Sequence, residues 1–133
     1  MHKLLVDTDV LIDYSKGKSE LLKTLLGLSS QSKAVLYITP INIAEYLNDF
    51  YLLKDKDRLS KAITYLENFK IQLVEKKAGI LAGRYMREGK TEFIADALIA
   101  GCCVAGELVL VTRNKKHFSK VKNLEFYKDR PVN

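Results

Sequence analysis

Short apolar runs alternate along the chain with longer stretches in which apolar residues recur every three or four positions. The short runs predict strands at Lys3 to Asp7, Val35 to Ile38, Ile71 to Val74, Leu108 to Thr112 and Leu124 to Tyr127. The longer stretches predict helices at Asp9 to Tyr14, Ser19 to Leu28, Pro40 towards Leu53, Leu59 to Phe69, Lys76 to Arg87 and Phe93 to Val104. Strands that alternate with helices pair in parallel, so the pattern predicts an α/β three-layer sandwich around a central, mostly parallel sheet.

Several residues mark the ends of the predicted helices. Thr8 is expected to cap the first helix, and Thr39 followed by Pro40 is a strong start signal. A charged turn at Lys54 to Asp57 should separate two helices, and Gly89 should end the helix that begins at Lys76. The chain contains no internal repeat, linker or low-complexity segment, so we expect residues 1–133 to form one domain.

Composition narrows the class of protein. Hydrophobic residues make up 47% of the chain and charged residues 29%, which is typical of a globular protein. No apolar run approaches a membrane span and no signal-peptide core follows Met1, so we expect a cytoplasmic protein without membrane contact. The adjacent Cys102 and Cys103 are expected to be buried free thiols. The net charge of +6 favours a polyanionic partner, although a lysine-rich solvated surface accounts for the same charge.

Three carboxylates occupy unusually apolar surroundings. Asp7 ends the first predicted strand, Asp96 is framed by alanine, leucine and isoleucine, and Glu45 follows an apolar pair. Each has a structural explanation on its own, as a helix cap, a helix-start acid or a solvated residue. Acids gathered at one sheet edge would repel each other unless a divalent cation neutralised them. Oxygen ligands favour Mg²⁺ or Mn²⁺, and such a site performs metal-assisted phosphodiester hydrolysis.

Four segments, in order along the chain, resemble the motifs of PIN-domain ribonucleases of the VapC toxin type. They are LLVDTDVLID at 4–13, IAEY at 43–46, IADALIA at 94–100 and LVTRNKKHF at 110–118. The resemblance implies an endoribonuclease dependent on Mg²⁺ or Mn²⁺, with RNA as its substrate. It also implies a homodimer and a cognate antitoxin protein that lays a segment across the active-site groove.

The same resemblance assigns roles to individual residues. Asp7 and Asp96 would be the main metal ligands, and Glu45 would assist directly or through a water. Thr8 would support the site by hydrogen bonding. The strand pattern itself brings the end of the fourth strand to the same edge, with Thr112 as a supporting residue and Asn114 as the fourth candidate catalytic residue. Many family members carry an acid where this chain has Asn114, which puts a second metal ion in doubt, although Glu92 could partly compensate if it faces the pocket.

Two other functions compete with the nuclease. The opening Asp7-Thr8-Asp9 also resembles haloacid-dehalogenase-like phosphatases, with Asp7 as nucleophile and Asp9 as general acid, but the acid pair expected after Val111 is missing. A catalytically decayed PIN fold that binds RNA or a protein partner is the non-enzymatic alternative. The histidines, His2 and His117, have no ligands at metal-binding spacing, and we expect His117 at the surface.

One helical segment carries more apolar residues than a single buried stripe requires. These residues are Tyr46, Leu47, Phe50, Tyr51, Leu52 and Leu53. The excess suggests that part of the segment meets a partner, with a homodimer as the hypothesis.

Overall fold

The computed structural model describes residues 2–128, except for the side chain of Phe50. The strands within this range are β1 (His2–Val6), β2 (Ala34–Ile38), β3 (Lys70–Ile71) and β4 (Val109–Val111). The α-helices are α1 (Thr8–Ser15), α2 (Glu20–Ser30), α3 (Pro40–Leu47), α4 (Lys56–Leu66), α5 (Lys76–Arg87) and α6 (Ile94–Gly106). Two short 3₁₀ helices follow α3 and β4, at Phe50–Leu53 and Lys115–Phe118.

These four strands form one parallel sheet in the order β3-β2-β1-β4. In the centre of the sheet, Leu4 of β1 lies opposite Leu36 of β2 on one side and Val109 of β4 on the other. The predicted parallel pairing is therefore confirmed. Because β1 lies between β2 and β4, the residue that follows it, Asp7, lies in the interior of the carboxyl edge of the sheet.

Helices cover both faces of the sheet because β1 sends alternate side chains in opposite directions. Leu4 and Val6 enter a core shared with α1, α2 and α4. Leu5 enters the second core, which is built with α5 and α6. The predicted three-layer α/β sandwich is confirmed, and the buried, unpaired thiols of Cys102 and Cys103 lie in the second core as expected.

Three local predictions were wrong. Asp7, and not Thr8, caps α1, since its Oδ1 accepts the Thr8 backbone N–H at 2.9 Å. The helix from Pro40 stops at Leu47, and a separate 3₁₀ helix begins because Asp49 accepts the Tyr51 N–H at 3.0 Å. The charged turn is shorter than predicted, because Asp55 caps α4 and the helix already includes Lys56.

The third and the fifth predicted strands are shorter in the structure than the apolar pattern suggested. Strand β3 has only two residues, Lys70–Ile71, and lies at the edge of the sheet. The segment from Leu124 to Tyr127 contributes a single parallel bridge between Phe126 and Leu110. A full strand does not form there because the chain turns at Asn123, whose backbone has a φ of 67°, and only residues 125 and 127 bond to Leu110.

The apolar segment around the 3₁₀ helix Phe50–Leu53 is partly exposed. Tyr51 is 64% exposed and Leu53 is 81% exposed, which agrees with the surplus of apolar surface noted in the sequence. The Phe50 side chain lies outside the described part of the chain. None of the helices within residues 2–128 combines the length and apolar character needed to cross a membrane.

Candidate active site

The carboxyl edge of the sheet carries an open depression lined with acids. Asp7 lies at its base, where the Asp7 backbone N–H donates to the Val111 carbonyl at 2.9 Å and so joins the ends of β1 and β4. The Asp7 carboxylate accepts two hydrogen bonds, from the Thr8 N–H and from the Thr112 hydroxyl, both at 2.9 Å. Neighbouring strands therefore fix the orientation of this buried acid.

Thr8 connects α1 to α3. Its hydroxyl donates to Oε1 of Glu45 at 2.7 Å and accepts a hydrogen bond from the Asn42 amide at 3.0 Å. Asn42 is itself held by Thr39, since both the hydroxyl and the backbone N–H of Thr39 donate to its side-chain oxygen. The sequence placed Thr8 in support of the site but missed Asn42, whose signal is its position three residues after the helix cap Thr39.

Asp9 is a second acid at the base of the depression, and the sequence pointed to it only for the phosphatase alternative. Its Oδ2 accepts the Arg113 backbone N–H at 3.0 Å and lies 3.4 Å from the Thr112 hydroxyl. Its Oδ1 is buried and has no hydrogen-bond partner within residues 2–128. A buried oxygen without a donor is costly, and a bound cation or water would offset that cost.

Asp96 reaches the depression from the first turn of α6. Its Oδ2 lies 3.3 Å from Nδ1 of His117, a side chain on the 3₁₀ helix Lys115–Phe118. His117 in turn lies beside Phe93, with ring centroids 6.2 Å apart. The sequence correctly placed His117 at the surface but gave no sign of its contact with Asp96, because no periodicity marks a short 3₁₀ helix.

All four predicted catalytic residues border the same depression. The residues that line it are Asp7, Thr8, Asp9, Glu45, Phe93, Ile94, Ala95, Asp96, Asn114 and His117. Thr112 lies beside it and bonds to Asp7, whereas the exposed Glu92 is not among the lining residues. Acids from the end of β1, from α3 and from α6 therefore line one depression, although 38 and 51 residues separate them in the sequence.

The acids are held in surroundings that disfavour their negative charge. Burial, reinforced by the charge of Asp9, raises the pKa of Asp7 to about 7, although hydrogen bonds from Thr112 and Thr8 oppose the shift. Burial also raises the pKa of Asp96; the nearby Glu45 charge acts in the same direction, while His117 opposes it. The pKa of Asp9 is raised by burial as well. A nearby cation would relieve all three costs.

The donor set suits a hard divalent cation held through a few direct contacts. No three histidine, cysteine, aspartate or glutamate side chains in the described range 2–128 are close enough together to enclose an ion directly. The donors nevertheless include carboxylates and the partnerless Oδ1 of Asp9. Mg²⁺ commonly binds through one or two carboxylates and keeps several of its waters, so these residues fit it.

The fold and the depression together define an α/β protein with an acidic site at the carboxyl edge of a parallel sheet. The sequence profile of the PIN domain family matches residues 4–124, and the chain belongs to that family. This match confirms the resemblance seen in the four motifs. It also includes the segment Asp7-Thr8-Asp9, so this segment belongs to a PIN domain and not to a phosphatase.

Individual relatives resemble the chain over almost its whole length. The chain is 26% identical over 130 residues to a protein of Rickettsia bellii named Ribonuclease VapC, with 92% of each chain covered. Its fold matches VapBC2 of Rickettsia felis bound to a promoter DNA fragment, with a TM-score of 0.78, 21% identity and 94% and 97% of the two chains covered. It also matches DNA-bound VapBC of Salmonella typhimurium, with a TM-score of 0.78, 22% identity and 96% and 98% coverage.

Proposed function

We propose that this protein is a divalent-metal-dependent endoribonuclease and the toxin of a toxin–antitoxin pair. The observation that carries the proposal is that Asp7, Glu45 and Asp96 line one depression together with Asp9, whose Oδ1 has no hydrogen-bond partner in the described range. The relative named Ribonuclease VapC supports the choice of RNA as substrate.

Asp7 and Asp96 would hold Mg²⁺ or Mn²⁺, and Glu45 would assist directly or through a water. A cation bound there would supply an acidified water and would neutralise charge on the phosphate. The Thr112 hydroxyl and the Thr8 N–H keep the Asp7 carboxylate in one orientation. Thr8 does the same for Glu45, which lets this glutamate accept a proton from the attacking water.

Asn114 is the neutral member of the proposed catalytic set. It lines the depression and is exposed, so its amide oxygen is accessible to a ligand. Because it brings no charge, the depression should hold one cation well and a second one poorly. We assign Asn114 a supporting role as a weak ligand or hydrogen-bond partner of the substrate.

The proposed biological partner is a cognate antitoxin protein. The structures that share the fold include VapBC complexes and FitAcB from Neisseria gonorrhoeae. An inhibitor of this kind would act by covering the acidic depression. We place the pair in the cytoplasm, where an RNA substrate is available.

The test compares RNA cleavage by the parent with cleavage by Asp7→Asn and Asp96→Asn. Each variant should lose cleavage in Mg²⁺ or Mn²⁺, as should the parent in a chelator, because the amide removes a charged ligand. The matched control is Asp57→Asn, which changes an exposed acid in the first turn of α4 and should cut RNA at the parental rate.

Parental cleavage by either site variant would contradict the role of that residue. A correctly folded parent that neither cleaves RNA nor binds Mg²⁺ in calorimetry would instead favour the decayed, non-enzymatic alternative. Circular dichroism of each variant separates loss of function from loss of fold.

A further inference from the structure

A second, basic cleft lies on the side of the molecule formed by α5 and α6. Its walls come from the C-terminal part of α5, the loop before α6 and the turn that follows the 3₁₀ helix Lys115–Phe118. The charged residues that line it are Arg84, Glu88, Lys90, Lys120 and Lys122. The proposed catalytic residues do not include any of these side chains.

The cleft has an excess of positive charge. Arg84 is partly neutralised, since its Nε lies 3.3 Å from the Glu88 carboxylate. No carboxylate in the described part of the chain forms an ion pair with Lys90, Lys120 or Lys122. Three lysines that converge without a counter-charge favour an anionic ligand with more than one charge.

The basic cleft adjoins the acidic depression. Lys90 lines the cleft and Phe93 lines the depression, while Lys120 lines the cleft and His117 the depression. Each pair is three residues apart, so at most about 11 Å of backbone separates the two sites along either segment. Two separate segments, residues 90–93 and 117–120, therefore connect the cleft to the depression.

The two connecting segments carry aromatic rings at their ends in the depression, Phe93 and His117. Phe93 is 53% exposed, and its ring is tilted by 49° against that of His117. Exposed aromatic rings beside a basic groove are the arrangement on which unpaired bases stack while the groove binds the backbone. A duplex cannot offer a base to such a ring without opening, so the arrangement favours a single strand.

We infer that a single RNA strand passes from the acidic depression across Phe93 and His117 into the basic cleft, where Lys90, Lys120 and Lys122 bind its phosphates. The inference rests on the proposed function, because it takes RNA as the substrate. It adds which side of the depression the strand follows and which residues bind it.

The test measures binding of an end-labelled single-stranded RNA by fluorescence anisotropy over a range of salt concentrations. All proteins carry Asp96→Asn so that the RNA stays intact. The test variant adds Lys120→Gln and Lys122→Gln. The matched control adds Lys23→Gln and Lys33→Gln, which remove the same charge from exposed positions in and just after α2, in the opposite helical layer.

The lysine pair in the cleft should lower affinity by roughly tenfold at 0.1 M salt and make the slope of log K against log salt shallower by about 1.4, or about 0.7 for each phosphate that the variant no longer neutralises. The control pair should change neither quantity appreciably. Phe93→Leu should weaken binding by about fivefold or more without changing the slope, because it removes the ring and no charge.

Unchanged affinity and slope in the cleft variant would overturn the inference, as would an equal loss in the control variant. Duplex RNA that competes as well as the unlabelled single strand would also overturn it. Cleavage of the same oligonucleotide by the parent is measured in parallel. Absence of cleavage there contradicts the proposed nuclease, whereas the binding measurements still decide the path of the strand.

Discussion

Asp7 combines deep burial with two hydrogen bonds that orient its carboxylate. It is 6% exposed, and its neighbours Thr8 and Thr112 hold both of its oxygens. Desolvation outweighs these hydrogen bonds, which is why the pKa of Asp7 rises to about 7. The carboxylate is therefore oriented for a cation even in the metal-free protein. Burial of this acid lowers the stability of the metal-free fold once Asp7 is ionised.

The metal-free protein should lose stability as pH rises from about 4 to about 7. In this window the unfolded chain releases the Asp7 proton while the folded chain keeps it, so unfolding becomes more favourable. Asp7→Asn removes the effect, since the amide stays neutral. We expect the variant and the parent to be similar below pH 4. At pH 8 the variant should exceed the parent by an amount whose upper limit is about 4 kcal/mol.

Urea unfolding in the presence of a chelator, at several pH values, measures this difference. Mg²⁺ should reduce the difference in stability between the variant and the parent, because a cation that binds the folded carboxylates stabilises the parent by mass action. Asp57→Asn serves as the control and should follow the parental pH profile. The prediction is contradicted if Asp7→Asn is less stable than the parent at pH 8 without metal. Burial of the ionised Asp7 would then not lower the stability of the fold.

At the level of helices and strands, prediction from the sequence succeeded where the signal is local. Helix α5 has the predicted bounds, and α3 starts at the predicted threonine–proline pair. Prediction failed where contacts between distant segments determine the structure. At Leu124 to Tyr127 the apolar pattern of a strand is present, but only one bridge forms. The sequence also does not reveal that Asp49 interrupts the helix from Pro40, because an aspartate fits a helix surface as well as a cap.

The acids of the site were predictable because their surroundings in the sequence are unusually apolar. Thr8 and Thr112 were also predicted at the site, but Asn42 and the contact of His117 were not, because these contacts join distant elements. The Asn42 amide bonds to Thr8 across 34 residues, and His117 approaches Asp96 from a segment without periodicity. The sequence pointed to Asp9 only as the general acid of the phosphatase alternative, and the structure then showed its buried, partnerless Oδ1.

Helices α5 and α6 approach each other closely at Gly101. A Cβ at this position would lie 2.5 Å from the Ala78 carbonyl oxygen, which belongs to the backbone and cannot turn away. Gly101→Ala should therefore destabilise the fold by about 1–3 kcal/mol, as measured by denaturant unfolding.

The matched control for this prediction is Gly83→Ala in α5. Its Cβ would meet nothing within 4 Å, so the higher helix propensity of alanine should stabilise the fold by about 0.5–1 kcal/mol. Equal stabilities for Gly101→Ala and the parent would mean that the two helices are farther apart than described.

The whole molecule presents an apolar surface that a second copy could cover. Leu53 is 81% exposed and adjoins Tyr51 on the 3₁₀ helix after α3. We predict a homodimer through this surface, and Leu53→Ser should shift it towards the monomer in light scattering at micromolar concentration.

Ile80→Ser is the comparison for Leu53→Ser, because Ile80 is also an exposed apolar residue but belongs to α5 in the other layer. It should leave the oligomeric state unchanged. A parent protein that is monomeric at micromolar concentration would contradict the dimer, while the proposed antitoxin complex would remain to be tested separately.

The pairing of β1 with β4 has a consequence for the order of events during synthesis. The hydrogen bond from Thr112 to Asp7 spans 105 residues, and Glu45 and Asp96 join the depression from segments made in between. On the ribosome, β1 emerges early, and its edge that pairs with β4 stays unpaired until β4 has been made. The acids are not gathered until the segment around Thr112 has left the exit tunnel. The proposed nuclease site therefore assembles late, after every segment that contributes an acid to it has been made.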